Sequence, residues 1–138
     1  MTTATSPALP ATRTTGKGLH IALWVVQVLV AAMFFLAGGH KLGGDPQMVG
    51  LFEAIGVGQW FRYVTGGLEV LGGVLLLVPR ASGVGAALLV PVMLGAVVTH
   101  LGLLHNSPAV PLALLVALLF VAWGRRTQLS ALVRRVLR

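Results

Sequence analysis

The sequence predicts an all-α integral membrane protein: a bundle of four transmembrane helices, with short interfacial helices in the first outer loop and at the C-terminus. Three observations predict it. Of 138 residues, 57% are hydrophobic and only 9% charged, whereas soluble domains carry roughly 25% charged residues. Four apolar runs each approach the roughly 20 residues that a helix needs to cross a bilayer. The basic residues gather at the ends of those runs, mostly on one side.

Composition also excludes. A soluble fold of this size could not keep so much apolar surface from water, and the mean hydropathy is +0.92. Four spans leave no room for a separate soluble domain. The absence of cysteine rules out disulfides, thiol redox chemistry, iron–sulfur clusters and Cys-based zinc sites. The net charge of +7 could suggest nucleic acid in a soluble protein. Here it flanks apolar spans, where it sets topology and meets anionic headgroups, so lipid is the expected partner and nucleic acid is not.

Residues 1–18 are rich in Thr, Ala and Pro and are expected to form a disordered cytoplasmic tail. The run that follows is too long for a secretory signal core, so it is expected to be a retained first span, 19–39. Span two is expected over 60–78, closed by Pro79, span three over 83–104 and span four over 107–124. The linkers between spans two, three and four are so short that these spans must be antiparallel neighbours. Each must be helical, because hydrocarbon offers backbone groups no other partner.

Charge orients the bundle. Arg13, Lys17, Arg80, Arg125, Arg126, Arg134, Arg135 and Arg138 fall on one side, against Lys41 and Arg62 on the other. Both chain ends are therefore expected on the cytoplasmic side of a bacterial-type plasma membrane. Segment 125–138 reads as a basic amphipathic interfacial helix, with Leu129, Leu132, Val133, Val136 and Leu137 along one face. The outer loop opens with Asp45-Pro46, a helix N-cap and first residue. Met48, Val49, Phe52 and Ile55 then recur at helical spacing up to Gly56 or Gly58.

Polar side chains in hydrocarbon are costly and become functional candidates. Glu69 lies about nine residues into span two, roughly 13 Å below its outer end. It either locks the bundle by pairing with Arg62 or a histidine, or serves a ligand, a proton or a substrate. Thr65, Gly66, Gly72 and Gly73 share its face, and the glycines let a helix or ligand approach closely. His100, near the outer end of span three, either bonds within the bundle or shares a polar pocket with Glu69. Lys41 ends span one: it snorkels to the interface, or guards the pocket mouth as a cation that could neutralise Glu69 or hold an anionic group. Arg62 carries the same two readings, and His40 stands beside Lys41 at the same level. Lys41, Arg62, Glu69 and His100 come from three helices and converge on the outer half of the membrane. No metal site is expected. A haem or metal held between His40 and His100 is the weaker alternative.

These motifs resemble those of a known family. Ala37-Gly38-Gly39-His40-Lys41-Leu42 is similar to the small-Gly-x-x-Lys-Leu signature of the DoxX and DoxX-like membrane proteins. Phe52-Glu53-Ala54-Ile55-Gly56 resembles that family's outer-loop segment, and Gly66-Gly67-Leu68-Glu69 its Gly-x-x-Glu motif. The Pro79-Arg80 turn and His100 also fit, so the resemblance runs from about Val25 to Trp123. It implies a four-helix membrane bundle and an association with quinone or catechol stress, oxidative-stress complexes or membrane-protein assembly. One branch supplies the membrane subunit of a thiosulfate:quinone oxidoreductase. Only Lys41, Glu69 and His100 carry over, and the thiosulfate activity does not.

The expected function is a redox-associated membrane subunit that binds a quinone or a similar small apolar molecule in an outward-half pocket. The alternatives are a non-enzymatic scaffold or chaperone that anchors a partner protein, and a small transporter built as a homo-oligomer.

Overall fold

The computed structural model describes residues 16–138, and within them the chain is all helix, with six α-helices and no strand. They are α1 (Gly16–Leu42), α2 (Pro46–Ile55), α3 (Gln59–Leu77), α4 (Ser82–Gly102), α5 (Ala109–Gly124) and α6 (Arg126–Val136). The expected disordered tail lies outside the described residues, except 16–18, which form the first turn of α1.

Local chemistry sets the helix ends. Asp45 caps α2, its side chain accepting from the Gln47 backbone N–H, and Pro46 opens the helix, where a missing N–H costs nothing. Gly56 ends it in the left-handed conformation, φ 80°, which a residue without a Cβ adopts freely. Helix α3 stops at Leu77, one residue before the expected end. Val78 precedes Pro79 and is extended (φ −86°, ψ 118°), because the proline ring disfavours a helical residue before it. Helix α4 continues past its internal Pro91, which removes one backbone donor and leaves the carbonyl one turn earlier without its usual partner.

The four longer apolar helices close a ring: α1 packs on α3, α3 on α4, α4 on α5 and α5 on α1. Helix α2 lies against α3 and α1, and α6 lies against α4 and α5. Phe34, Leu76, Leu89, Leu118 and Val121 are fully buried between them. The outward faces are just as apolar: Leu29, Val98 and Val116 all stand exposed. Apolar residues both inside and outside fit hydrocarbon as the solvent. Helices α1, α3 and α4 are each long and apolar enough to cross a membrane, and the 16-residue α5 is followed by α6 at a bend of 69°.

A close backbone approach joins α1 to α3. A Cβ at Gly38 would stand 2.8 Å from the Gly66 carbonyl and 2.8 Å from Val70 Cγ2, and a Cβ at Gly66 would stand 2.9 Å from Lys41 Cβ. Small residues at such crossings let backbones meet and gain dispersion contacts. Gly38→Leu should therefore destabilise the protein by about 1–3 kcal/mol through overpacking. Gly39→Ala and Gly67→Ala, where nothing lies within 4 Å, should be neutral or slightly stabilising. Thermal unfolding in detergent checks this, and equal losses at all three positions would contradict the packing account.

Candidate functional site

Glu69 sits on the face of α3 turned toward α1, and only 3% of its side chain is exposed. The Gly38–Gly66 approach brings the last turn of α1 close enough for Lys41 to reach it. The ammonium donates to both carboxylate oxygens, at 3.0 Å and 2.9 Å. Lys41 is itself 13% exposed, so both charges are largely out of solvent. Such a pair survives only with close geometry and several hydrogen bonds, and the bidentate contact supplies both.

Arg62 does not pair with Glu69. It is 4% exposed. Its Nε donates to Gln59 Oε1 at 2.7 Å, its Nη1 donates to the Lys41 backbone carbonyl, and its guanidinium lies over the Tyr63 ring. The acceptor is a carbonyl in the last turn of α1, where a cation offsets the unsatisfied carbonyls and the helix dipole. Gln59 in turn donates to the Val49 carbonyl of α2 at 3.1 Å. Arg62 thus holds the backbone from which Lys41 extends and ties it to α2.

A cavity of about 620 Å³ opens beside the ion pair, between α2, α3 and α4. Lys41, Glu69 and Thr65 line it on one side and Thr99, His100 and Asn106 on another. The remaining wall is mostly apolar, with Met48 and Phe52 of α2, Leu68 of α3, and Pro91 and Val92 of α4 among its residues. Three of the five expected site residues, Lys41, Glu69 and His100, therefore meet at one cavity. Arg62 and His40 do not line it.

His100 shares the cavity with Glu69 but does not bond to it. Its Nδ1 lies 2.6 Å from Asn106 Oδ1. The turn after α4 folds back, with the Asn106 N–H on the His100 carbonyl and His105 at φ 47°. An amide oxygen only accepts, so Nδ1 carries the proton and a neutral ring keeps Nε2 as an acceptor. Glu69 is already satisfied by Lys41, which leaves His100 free for Asn106. His40 lies on the other side of α1's last turn, 3.1 Å from Asp45 Oδ2, beside a shallow groove that includes Gly39 and Gly43. Among the described residues, no three His, Asp or Glu side chains gather as a metal site.

The glycines near Glu69 admit helices, not a ligand. A Cβ at Gly72 would strike Leu89, one at Gly73 would meet Phe35, and one at Gly66 would meet Lys41. Sequence reasoning passed over Asn106, Thr99 and Pro91. It also passed over α2 as a cavity wall, although the spacing of Met48, Phe52 and Ile55 already gave that helix an apolar face.

A family model described as the DoxX-like family matches residues 25–123. The chain belongs to the DoxX-like family. The match contains Lys41, Arg62, Glu69, His100 and Asn106, so the whole cavity lies in the family's part of the chain. The chain is also similar to the Bacillus subtilis (strain 168) protein named "Putative oxidoreductase CatD", with 28% identity over 83 residues. That alignment covers 60% of this chain and 62% of the relative, so the chain spans less than two thirds of that protein. No solved structure matches.

Two outcomes follow from the geometry of this DoxX-like site. Lys41→Met leaves a buried carboxylate without its cation and should cost on the order of 3 kcal/mol. The double variant Lys41→Met/Glu69→Leu removes both charges and should recover most of that loss. Unfolding of the two variants in detergent measures the coupling, and an unrecovered double variant would mean that packing, not charge, set the cost. Asp45 titrates in the loop. The Gln47 backbone N–H, and then the His40 ring, hold its carboxyl below the usual carboxylate range. A depressed value means that its capping contribution is complete above the ordinary aspartate value of about 3.9 and fades as pH falls through the lowered one. Amide exchange in the first turn of α2 should quicken at such pH relative to α5. Asp45→Ala should show the same quickening at neutral pH.

Proposed function

We propose that this DoxX-like protein is a four-span membrane protein, α1, α3, α4 and α5 being the spans, and that it binds a quinone or a similar small ring molecule in the cavity beside Lys41 and Glu69. The observation that carries this reading is an ion pair set into the wall of an otherwise mostly apolar cavity of about 620 Å³. That volume falls within the roughly 300–1,000 Å³ of small-molecule sites, which pair apolar walls with a few placed polar groups.

The topology follows the charges. Arg80, Arg125, Arg126, Arg134, Arg135 and Arg138 occupy the end of the bundle away from α2. The positive-inside rule puts that end, and both chain termini, on the cytoplasmic side of a bacterial-type plasma membrane. The cavity then faces the outer half. Helix α5 is short for a span, about 24 Å at 1.5 Å per residue, and such a mismatch costs only fractions of a kcal/mol per Å. Helices α2 and α6 lie at the two interfaces.

The donor set suits a ring oxygen. Lys41 has three N–H donors and gives two contacts to Glu69, which leaves one for a ligand carbonyl. A bound quinone would supply two-electron, two-proton redox chemistry. The chain's own residues orient the ring through Lys41 and the His100–Asn106 pair, keep water out with α2, and hold the Lys41 ammonium in place through the Glu69 carboxylate. The relative named as an oxidoreductase agrees with a redox setting. A partner protein would complete the reaction, with this chain as its membrane subunit.

Titration with a short-tailed benzoquinone in nanodiscs tests the reading. Ligand at about 100 times its Kd should stabilise the protein by about 2.7 kcal/mol, seen as a rise in melting temperature. Glu69→Gln should lose most of that rise while still folding. A wild-type protein that does not respond to the quinone would sink the proposal.

A further inference from the structure

The opposite end of the bundle holds a second polar cluster that the cavity does not use. Arg125, at the junction of α5 and α6, faces His20, Trp24 and Gln27 on the first turns of α1. Its Nε donates to Gln27 Oε1 at 3.0 Å, and its guanidinium lies over the Trp24 ring, 5.7 Å from the centroid. Gln27 is fully buried, and its amide donates to the Leu76 carbonyl at 2.8 Å.

The cluster has too many donors. Trp24 Nε1–H donates to His20 Nε2 at 3.1 Å. A neutral imidazole accepts at one nitrogen only, so Nδ1 then carries the proton. Arg125 Nη1 lies 3.3 Å from that same Nδ1, which sets two donors against each other. Arg125 Nη2 is enclosed and finds no acceptor among the described residues. Among the described residues, Gln27 Oε1 is the one clear acceptor for a group with five N–H bonds. No side-chain carboxylate can make up the difference, because the chain has only three, Asp45, Glu53 and Glu69. All three belong to the α2 loop or the cavity wall.

The exposed side of the cluster, where Arg125 Nη1 meets His20, suits an anionic oxygen acceptor. The surroundings specify its form. Ile21, Val25 and Val28 form an exposed apolar stripe on α1 beside the cluster, at the i, i+4, i+7 spacing that would carry an acyl chain. Trp24 lies beside Arg125, and indole rings favour the headgroup level. We infer that Arg125, His20 and Trp24 form a binding site for the phosphate of an anionic phospholipid, with its acyl chain along Ile21, Val25 and Val28. Gln27 carries the effect inward: it links the guanidinium to the α3 backbone at Leu76, so the lipid closes the α1, α3 and α5 ends of the bundle together.

Delipidated full-length protein in detergent provides the test, with phosphatidylglycerol, phosphatidylcholine and inorganic phosphate as separate probes. Native mass spectrometry should show one phosphatidylglycerol retained in preference to phosphatidylcholine, with a matching rise in melting temperature. Arg125→Gln should weaken retention about tenfold, the worth of one charge-assisted hydrogen bond. His20→Phe, on an exposed position that tolerates change, should weaken it several-fold while the protein stays folded. Arg134→Gln removes the same charge from α6 and should leave retention close to wild type. The inference is overturned if Arg134→Gln weakens binding as much as Arg125→Gln, since the attraction would then be diffuse. Equal retention of phosphatidylcholine would also overturn it, as would full protection by inorganic phosphate alone.

Discussion

A carboxylate inside an apolar bundle must be neutralised or matched, and the bidentate contact between Lys41 and Glu69 is the match on which the rest of this structure depends. The lysine belongs to α1 and the glutamate to α3, so their contact sets the depth at which the two helices pair. That register requires the backbones to touch at Gly38 and Gly66. It also requires the end of α1 to stay in place, which Arg62 secures by donating to the Lys41 carbonyl. The desolvation cost of two charges is offset only while all these parts hold. The glycines, the arginine and the pair therefore act as one unit, and their effects should not add independently.

The same unit explains why the cavity is where it is. Helix α2 is linked to the pair by Gln59, which joins the Val49 carbonyl to Arg62. Its apolar face, with Met48 and Phe52, covers one side of the cavity while Lys41 and Glu69 line another. A ligand that touched the pair would be felt at α2 through the Arg62 and Gln59 side chains, and a displaced α2 would loosen the hold on Lys41.

Much of the fold was legible in the sequence because its signals are local. Asp45-Pro46 starts a helix, Gly56 ends one, and Pro79 stops α3 through the residue before it. Each acts within a turn of the chain. Glu69, Lys41 and His100 were legible as candidates because a polar group in hydrocarbon is expensive wherever it points. Lys41 was legible as a cation that could neutralise Glu69, and the structure pairs the two; the partners of Arg62 and His100 were not. Arg62 bonds a backbone carbonyl 21 residues away, and carbonyls are present at every position, so nothing in the sequence marks the one chosen. His100 finds Asn106 only because His105 takes a left-handed conformation and folds the turn back, which a histidine does not advertise. Helix α1 begins earlier than expected, at Gly16, because apolar patterning places only the membrane-facing part of a helix and leaves its polar end unread.

The two ends of the bundle solve opposite electrostatic problems. At the α2 end, the chain supplies both charges and closes the circuit internally, so the cavity beside the pair can be apolar and still sit next to ionised groups. At the Arg125 end, the side chains supply cations and no anion, since all three side-chain carboxylates lie between residues 45 and 69. A guanidinium cannot shed its charge as a buried carboxyl can. Its compensation must come from water, from the ring of Trp24 or from the headgroups around it. An anionic headgroup brings both the missing acceptor and the missing charge. The distribution of only three acidic residues along 138 thus divides the molecule into an end that is electrostatically self-sufficient and an end that is completed by the membrane.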